Sequence, residues 1–377
     1  FVNAESFSLS LTLLLLTGVV LGGAGTVLGP LVGMAPLMAL SFWVGPFSQY
    51  NAVVLGFVLL IGVLVFTDGV VPAIATRLQR LLRLAAPAAP PVSALAQQSA
   101  ATIAAIPPVH RSGEGPVVRA RGLVKHFGGV RALDNVDFDL AAGRLCGLVG
   151  PNGSGKSTFL NAVSGFFPPD QGEISIAGAD VSGWPAHRIA RVGVGRSFQV
   201  PLLVDEFTAL ENIEMGLVAG EPRAVLQSLL YTPAIAARGR ARRKRALAAL
   251  ALVGLPAESV RNPVEKLPLG LKRTVEIGRA IAASPTLLLL DEPAAGLNEA
   301  ERAQLGQLLV KLRDAGITVL VVEHNVPFIM GICDEIVLLE SGRVTCRADL
   351  GGPLPERLTA YLNYAPAVAT AQRRMPV

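Results

Sequence analysis

Apolar residues are arranged along this chain in two regimes. Up to residue 66 they form long runs, Phe7 to Leu21, Leu31 to Val44 and Ala52 to Phe66, parted by Gly-rich and Gly-Pro breaks. No Asp, Glu, Lys or Arg occurs between Glu5 and Asp68, and the first run lacks the basic flank of a secretory leader. A bilayer core asks for roughly 20 apolar residues per helix, and shorter spans are tolerated with mismatch. The runs therefore predict an all-α transmembrane segment. From Val117 onward the pattern changes to short elements. Val136-Asp137-Phe138-Asp139-Leu140 alternates as a half-buried strand does, and Ile174-Ser175-Ile176 repeats that pattern. Leu145 to Val149, Thr286 to Leu290 and Thr318 to Val322 are continuous apolar runs of buried-strand type, the last two separated by helical patterns. That order predicts an α/β domain on a parallel sheet.

Composition sharpens the division. Hydrophobic residues make up 51% of the 377 and charged ones 16%, against roughly 45–50% and 25% in ordinary soluble domains. The charge deficit is local to the first region. Between Leu84 and Pro116 the chain turns to Ala, Pro, Ser and Gln, with Pro87, Pro90, Pro91, Pro107 and Pro108, and reads as a semi-extended tether. The predicted organisation is a membrane segment over 1–83, a linker over 84–116, a globular domain over 117–364 and a disordered tail over 365–377. Arg77, Arg80 and Arg83 follow the last apolar run with no acidic residue after Asp68, which places that end in the cytoplasm. Three crossings then put the segment Gly22 to Gly33 on the same side, with Trp43, Gly45-Pro46 and Tyr50 at the outer interface. Two readings fit Gly22 to Gly33: close helix packing through small residues, or a loop that docks on the globular domain. The net charge of +5 suits an anionic membrane surface and is too mild to argue for nucleic acid. Cys146, Cys333 and Cys346 form no paired framework, so reduced structural thiols are expected. The chain opens on Phe1, as a processed protein or a piece of a longer one would.

The chemistry centres on Gly150-Pro151-Asn152-Gly153-Ser154-Gly155-Lys156-Ser157-Thr158, which fits G-x-x-x-x-G-K-[ST] at every fixed position. A buried strand precedes it and a helix is expected from Thr158 to Ser164, the context this phosphate cradle needs. The glycines let backbone N–H groups turn onto phosphate oxygens, Lys156 reaches the outer phosphates, and Ser157 is a candidate Mg²⁺ ligand. Some 135 residues after Lys156, Leu287-Leu288-Leu289-Leu290-Asp291-Glu292-Pro293 ends a buried strand in two carboxylates. Asp291 is the candidate metal partner and Glu292 the candidate base on the water that attacks the γ-phosphate.

These residues resemble the ATPase domain of ATP-binding cassette transporters, over Val117 to about Tyr364. The resemblance implies a P-loop NTPase fold with antiparallel β and helical subdomains, ATP and Mg²⁺ as ligands, and a head-to-tail pair of ATPase domains. It implies that Phe127 stacks on adenine. It implies that Gln199, in Ser197-Phe198-Gln199-Val200-Pro201, senses the γ-phosphate and Mg²⁺ beneath the membrane contact. His324, in Glu323-His324-Asn325, would hold the γ-phosphate. The family signature L-S-G-G-Q stands here as Leu267-Pro268-Leu269-Gly270-Leu271, so the motif that completes the partner's ATP site lacks its serine hydroxyl. The helix that follows still offers N–H groups and a positive dipole end to phosphate. Asn298, in Ala295-Gly296-Leu297-Asn298, replaces the more general Asp of the loop across the dimer interface.

The Leu-Pro-x-Gly signature, Glu292-Pro293-Ala294-Ala295-Gly296-Leu297-Asn298 and Glu323-His324-Asn325 are similar to the ATPase of branched-chain amino-acid importers. Gly22-Gly23-Ala24-Gly25-Thr26, Gly29-Pro30, Gly33 and Val65-Phe66-Thr67-Asp68-Gly69 are similar to the last part of that importer's permease. The resemblance implies an integral component of the cytoplasmic membrane: a permease tail, with further helices upstream, fused to its own ATPase. Its implied partners are a second permease, a second ATPase and an external solute-binding protein. A membrane-tethered ATP-binding regulator with little turnover is the alternative, on the strength of the variant signature. The basic run Arg238 to Arg245 fits a solvated helix face first and anionic lipid second. No interleaved aromatics support nucleic acid there.

Overall fold

The computed structural model describes residues 9–23, 29–43, 53, 56, 57, 60, 115–218 and 233–363. The chain divides into two units, Phe1–Pro90 and Pro91–Val377.

In the first unit, the first two apolar runs are helices: α1, Leu9–Gly22, and α2, Gly29–Trp43. Gly33 lies so close to α1 that a Cβ there would sit 2.0 Å from the Gly18 carbonyl oxygen and 2.7 Å from the Gly22 nitrogen. Gly29–Gly33 thus belongs to a helix packed through small residues, one of the two readings of Gly22 to Gly33, while 24–28 lie outside the described residues. The reason is local, since Pro30 suits the first turn of a helix and a missing Cβ lets two backbones meet. Among the described residues no helix is long and apolar enough to cross a membrane. At 1.5 Å per residue, the 15 residues of α2 reach about 22 Å against a hydrocarbon core of roughly 30 Å. Gly45-Pro46, Tyr50, most of the third apolar run, Val65 to Gly69, Arg77, Arg80, Arg83, the linker up to 114 and the tail from 364 lie outside the described residues.

The second unit contains β1 (Pro116–Phe127), β2 (Val130–Ala141), β3 (Leu145–Val149), α3 (Lys156–Val163), β4 (Gln171–Ile176), β5 (Ala179–Asp180) and α4 (Ala186–Arg191). It continues with β6 (Val194–Arg196), α5 (Ala209–Val218), α6 (Pro233–Val253), α7 (Leu269–Ala282), β7 (Leu287–Asp291) and α8 (Glu299–Asp314). Last come β8 (Thr318–Val322), α9 (Val326–Ile332), β9 (Glu335–Glu340) and β10 (Arg343–Asp349), before a helical segment over 356–363. Strands β2-β1-β4-β5 form an antiparallel sheet, and β10-β9-β3-β8-β7-β6 form a second sheet, parallel except for β10.

The second sheet is covered on both faces, which is why its strands read as continuous apolar runs rather than alternating ones. Leu287 and Leu289 point with Leu320 and Val322 into one core, shared with Phe159, Leu160, Phe138 and Ile174. Leu288 and Leu290 point the other way, with Val319 and Val321, onto Leu309, Leu312, Val275 and Ile281. Helices α5, α6 and α7 pack together beside this second core through Ile213, Leu250, Val253 and Ile277. Part of the basic run serves this packing: Arg243 lies 3.8 Å from Glu214, and Arg245 donates to the Ala282 carbonyl at 3.0 Å. Cys146 and Cys333 are buried and free, and burial pushes both thiols up, as expected of structural cysteines.

Topology places the chemistry. Four neighbouring parallel strands, β3, β8, β7 and β6, all end on the same edge. The cradle follows β3, His324 follows β8, Asp291 closes β7 and Gln199 follows β6. In parallel α/β sheets, ligands bind off the carboxyl ends of the strands.

Candidate functional site

The cradle is held in shape by contacts that only glycine allows at two positions. Gly150 has φ +154° and a Cβ there would lie 2.0 Å from the Leu339 oxygen; Gly155 has φ +104° and its Cβ would lie 2.3 Å from the Ala132 oxygen. Gly153, at φ +77°, faces open space. The loop is thus wedged between β9 and the β2 strand, with Gly342 N–H donating to the Ser154 carbonyl at 2.9 Å as a further brace. Gly155 starts α3 without a side-chain cap, which leaves first-turn N–H groups for an anion. Ser154 Oγ is buried with no partner in the protein, and the Lys156 ammonium rests on the carbonyls of Gly150 and Pro151 at 2.9 Å each. Burial pulls the Lys156 pKa below its ordinary value, opposed by the charges of Glu292 and Asp291. A glycine-shaped loop with an orphan hydroxyl and a half-desolvated ammonium fits a nucleotide's phosphates.

Asp291 is 7% exposed, and burial pushes its carboxyl up, while Arg196 and a hydrogen bond from Ser157 pull it back. Ser157, Asp291 and the Gln199 side chain supply hard oxygen donors, the type Mg²⁺ takes, in a number that leaves room for water and phosphate. Among the described residues no cluster of three or more His, Cys, Asp or Glu forms a closed metal cage.

Glu292 sits at φ +46°, a left-handed conformation rare for a residue with a side chain. Its N–H donates to the Val322 carbonyl at 2.9 Å, so β8 enforces the turn. The turn aims the carboxylate away from the strand: Oε2 accepts from Gln199 Nε2 at 3.1 Å, and Oε1 lies 3.8 Å from His324 Nδ1. Strain of order 1–3 kcal/mol of this kind concentrates at functional sites. Lys156, Ser157, Asp291, Glu292, Gln199 and His324 are therefore brought together. Phe127 ends β1 at a hairpin, half exposed, its ring 5.3 Å edge-on from Phe167 and 5.7 Å from Lys125 Nζ. Thr158 follows within the first turn of α3.

The segment 267–271 makes different contacts. Pro268 caps α7, Leu267 is buried, Leu269 is exposed beside Gly296, and Gly270 packs so tightly on Glu301 that a Cβ would meet its Oε1 at 2.4 Å. These residues lie against the loop before α8 and the first turn of α8 itself. Asn298 caps α8 in a reciprocal box: its side chain accepts from Glu301 N–H at 2.9 Å, and Glu301 Oε2 accepts from Asn298 N–H at 3.0 Å. Asn298→Ala is expected to cost about 1 kcal/mol and to lower the thermal midpoint by about 2–4 °C for a domain of this size. A calorimetric scan checks this.

Several site residues carry roles that the sequence alone does not assign. Glu323, 1% exposed, accepts from Ala294 N–H at 2.7 Å and from His324 N–H at 3.2 Å, tying the loops after β7 and β8 together. Burial raises its pKa, and these backbone donors oppose the rise. Arg196 faces Asp291 and donates to Asn161 Oδ1 at 2.5 Å and to Ser164 Oγ. Burial raises the Tyr361 pKa, opposed by the neighbouring Gly150 N–H. The acid beside His324 and the Arg three residues before Gln199 were visible, but nothing local distinguishes them from solvated charges.

Residues 133–295 match the family described as ABC transporter. The chain is 36% identical over 228 residues to the high-affinity branched-chain amino acid transport ATP-binding protein LivG of Salmonella typhimurium, covering 60% of this chain and 89% of that protein. Its fold is similar to the ATP-binding cassette MJ1267 solved in its ADP conformation, with 28% identity, a TM-score of 0.58, and 66% and 99% of the two chains covered. It is also similar to the ATP-binding cassette MJ0796, solved as a dimer bound to ADP and Pi, with 30% identity, a TM-score of 0.54, and 63% and 100% covered. The cradle and the carboxylate pair both fall within the matched residues 133–295, and the chain belongs to the ABC transporter family as one of its ATP-binding, ATP-hydrolysing components.

Proposed function

We propose that this chain drives uptake of branched-chain or related amino acids across the cytoplasmic membrane, with ATP hydrolysis in residues 117–364 coupled to a permease part in residues 1–83. The observation that carries the hydrolytic role is Glu292, held in a left-handed turn between the Gln199 amide and the His324 ring. Lys156 and the α3 N-terminus hold the phosphates and stabilise charge that builds on the transferring phosphoryl group. Glu292 takes the proton of the attacking water. Gln199 and His324, on its two sides, orient the water and hold the γ-phosphate. Ser157, Asp291 and Gln199 would hold Mg²⁺, which neutralises phosphate charge when bound. Phe127 would stack on the adenine ring, and residues 267–271 would face the ATP of a second ATPase subunit.

Likeness to LivG supports the substrate class. The permease reading rests on the uncharged stretch between Glu5 and Asp68, the Gly18–Gly33 contact, and the apolar Leu15, Leu16, Leu31 and Met38 left exposed on the two helices. A second permease and an external solute-binding protein complete the assembly. The test is ATP hydrolysis by the full chain in lipid with these partner subunits, with and without a solute-binding protein loaded with leucine. Stimulation that needs both protein and leucine is the expected result. Hydrolysis indifferent to leucine would remove the substrate class. ATP binding with no hydrolysis under any condition would favour a membrane-tethered regulator.

A further inference from the structure

Helix α7 carries two charged residues where none is expected. Arg273 and Glu276 are 3% and 1% exposed, on one face of the helix three residues apart, with Nη1 3.2 Å from Oε2. Burying two charges is costly even when they pair, and apolar residues of the same volume would hold a helix here at least as well. Burial raises the Glu276 pKa, opposed by the Phe198 N–H and by Arg273.

What the pair does is visible in its other partners. Arg273 Nη1 donates to the Phe198 carbonyl at 2.6 Å, and Nη2 donates to the Gln199 carbonyl. Phe198 N–H donates to Glu276 Oε1 at 2.9 Å. Three main-chain groups of two consecutive residues are thereby clamped, in a stretch that belongs to no strand or helix. The clamp needs both members, because a guanidinium fork can span two carbonyls and only an acceptor can hold the N–H. The far end of the clamped residue is the Gln199 amide on Glu292.

We propose that Arg273 and Glu276 are positioning residues for ATP hydrolysis, setting the Gln199 amide against Glu292 through the main chain of Phe198 and Gln199. The inference rests on the reading of Glu292 as the group that acts on the attacking water. It extends the site some 75 residues along the chain to the helix that begins at Leu269. A displacement of that helix is transmitted to Gln199.

The test uses the full chain, with steady-state ATP hydrolysis and equilibrium ATP binding measured for R273M, R273K, E276Q, Q199A, E292Q and the double variant Q199A/R273M. R273M is expected to lower kcat about 10–100-fold, since misplacement by about 1 Å can cost 10²-fold, with KM for ATP and ATP affinity within about 3-fold of wild type. R273K, with a point charge in place of the fork, restores only part of the rate. In the double variant the losses do not multiply, and kcat stays within about 2-fold of the poorer single variant. Should R273M fail to show a cooperative melt, R273K, which keeps the charge and loses the fork across two carbonyls, takes its place in the cycle. Fully multiplied losses would make the pair structural and overturn the proposal, as would wild-type kcat in R273M or Q199A while E292Q is inactive. Wild-type hydrolysis in E292Q would instead remove the reading of Glu292 on which the inference stands.

Discussion

Glu292→Gln lowers ATP hydrolysis by about 10²–10⁴-fold, the range for loss of a positioned general base, and leaves ATP binding intact. The substitution suits this site because it changes little else. A Gln carbonyl can still accept from Gln199 Nε2, as Glu292 Oε2 does at 3.1 Å, and the turn at φ +46° is fixed by the main-chain bond to Val322. What disappears is the proton acceptor. A negative charge that acts on Lys156 disappears as well, so phosphate binding is, if anything, tightened. With turnover stopped and ATP still held, the chain accumulates in an ATP-bound closed dimer. Phosphate release over time measures the first effect, and light scattering with and without ATP measures the second. Unchanged hydrolysis would take Glu292 out of its role and shift attention to His324, on the other side of the same pocket.

The residues that make this site were unevenly legible in the sequence. The cradle and Asp291-Glu292 could be read directly, because their chemistry is local: a strand, a glycine-shaped turn and a helix in sequence, or a buried strand ending in acids. The parallel sheet was legible for a related reason, since β7 and β8 are apolar at nearly every position and only a strand covered on both faces can use that pattern. The bracing residues were not legible. Arg273, Glu276 and Glu323 satisfy main-chain groups of segments 29 to 78 residues away, and such pairs impose no period on their own neighbours. Gly22 to Gly33 leaves two readings open for the opposite reason. Glycines serve a loop through backbone freedom and a helix contact through the absence of a side chain, and Gly33 acts in the second way. Asn298 was read as a substituted interface residue, and its geometry shows a helix cap.

The cradle itself yields the most selective expectation, a contrast between two glycines two residues apart. Gly155→Ala abolishes ATP binding in practice, weakening it by more than about 100-fold, and lowers the thermal midpoint by roughly 5–15 °C. The reason is double. At φ +104° an L side chain is strained by about 1–3 kcal/mol, and its Cβ would stand 2.3 Å from the Ala132 carbonyl oxygen, a main-chain atom of β2 that cannot yield cheaply. Relief requires moving the loop, which turns the first N–H groups of α3 and Lys156 away from the phosphates. At about 2–4 °C per kcal/mol for a domain this size, strain plus clash accounts for the lost stability. Gly153→Ala meets only half of this. Its φ of +77° is strained for Ala, but nothing lies within 4 Å of the new methyl group. Without the clash its cost is about 1 kcal/mol of left-handed strain, with a thermal midpoint lowered by only a few degrees. Differential scanning calorimetry and equilibrium binding of ATP on both variants test the contrast. Equal losses at the two positions would show that backbone conformation alone governs the cradle, and that the wall formed by Ala132 is not what fixes Gly155.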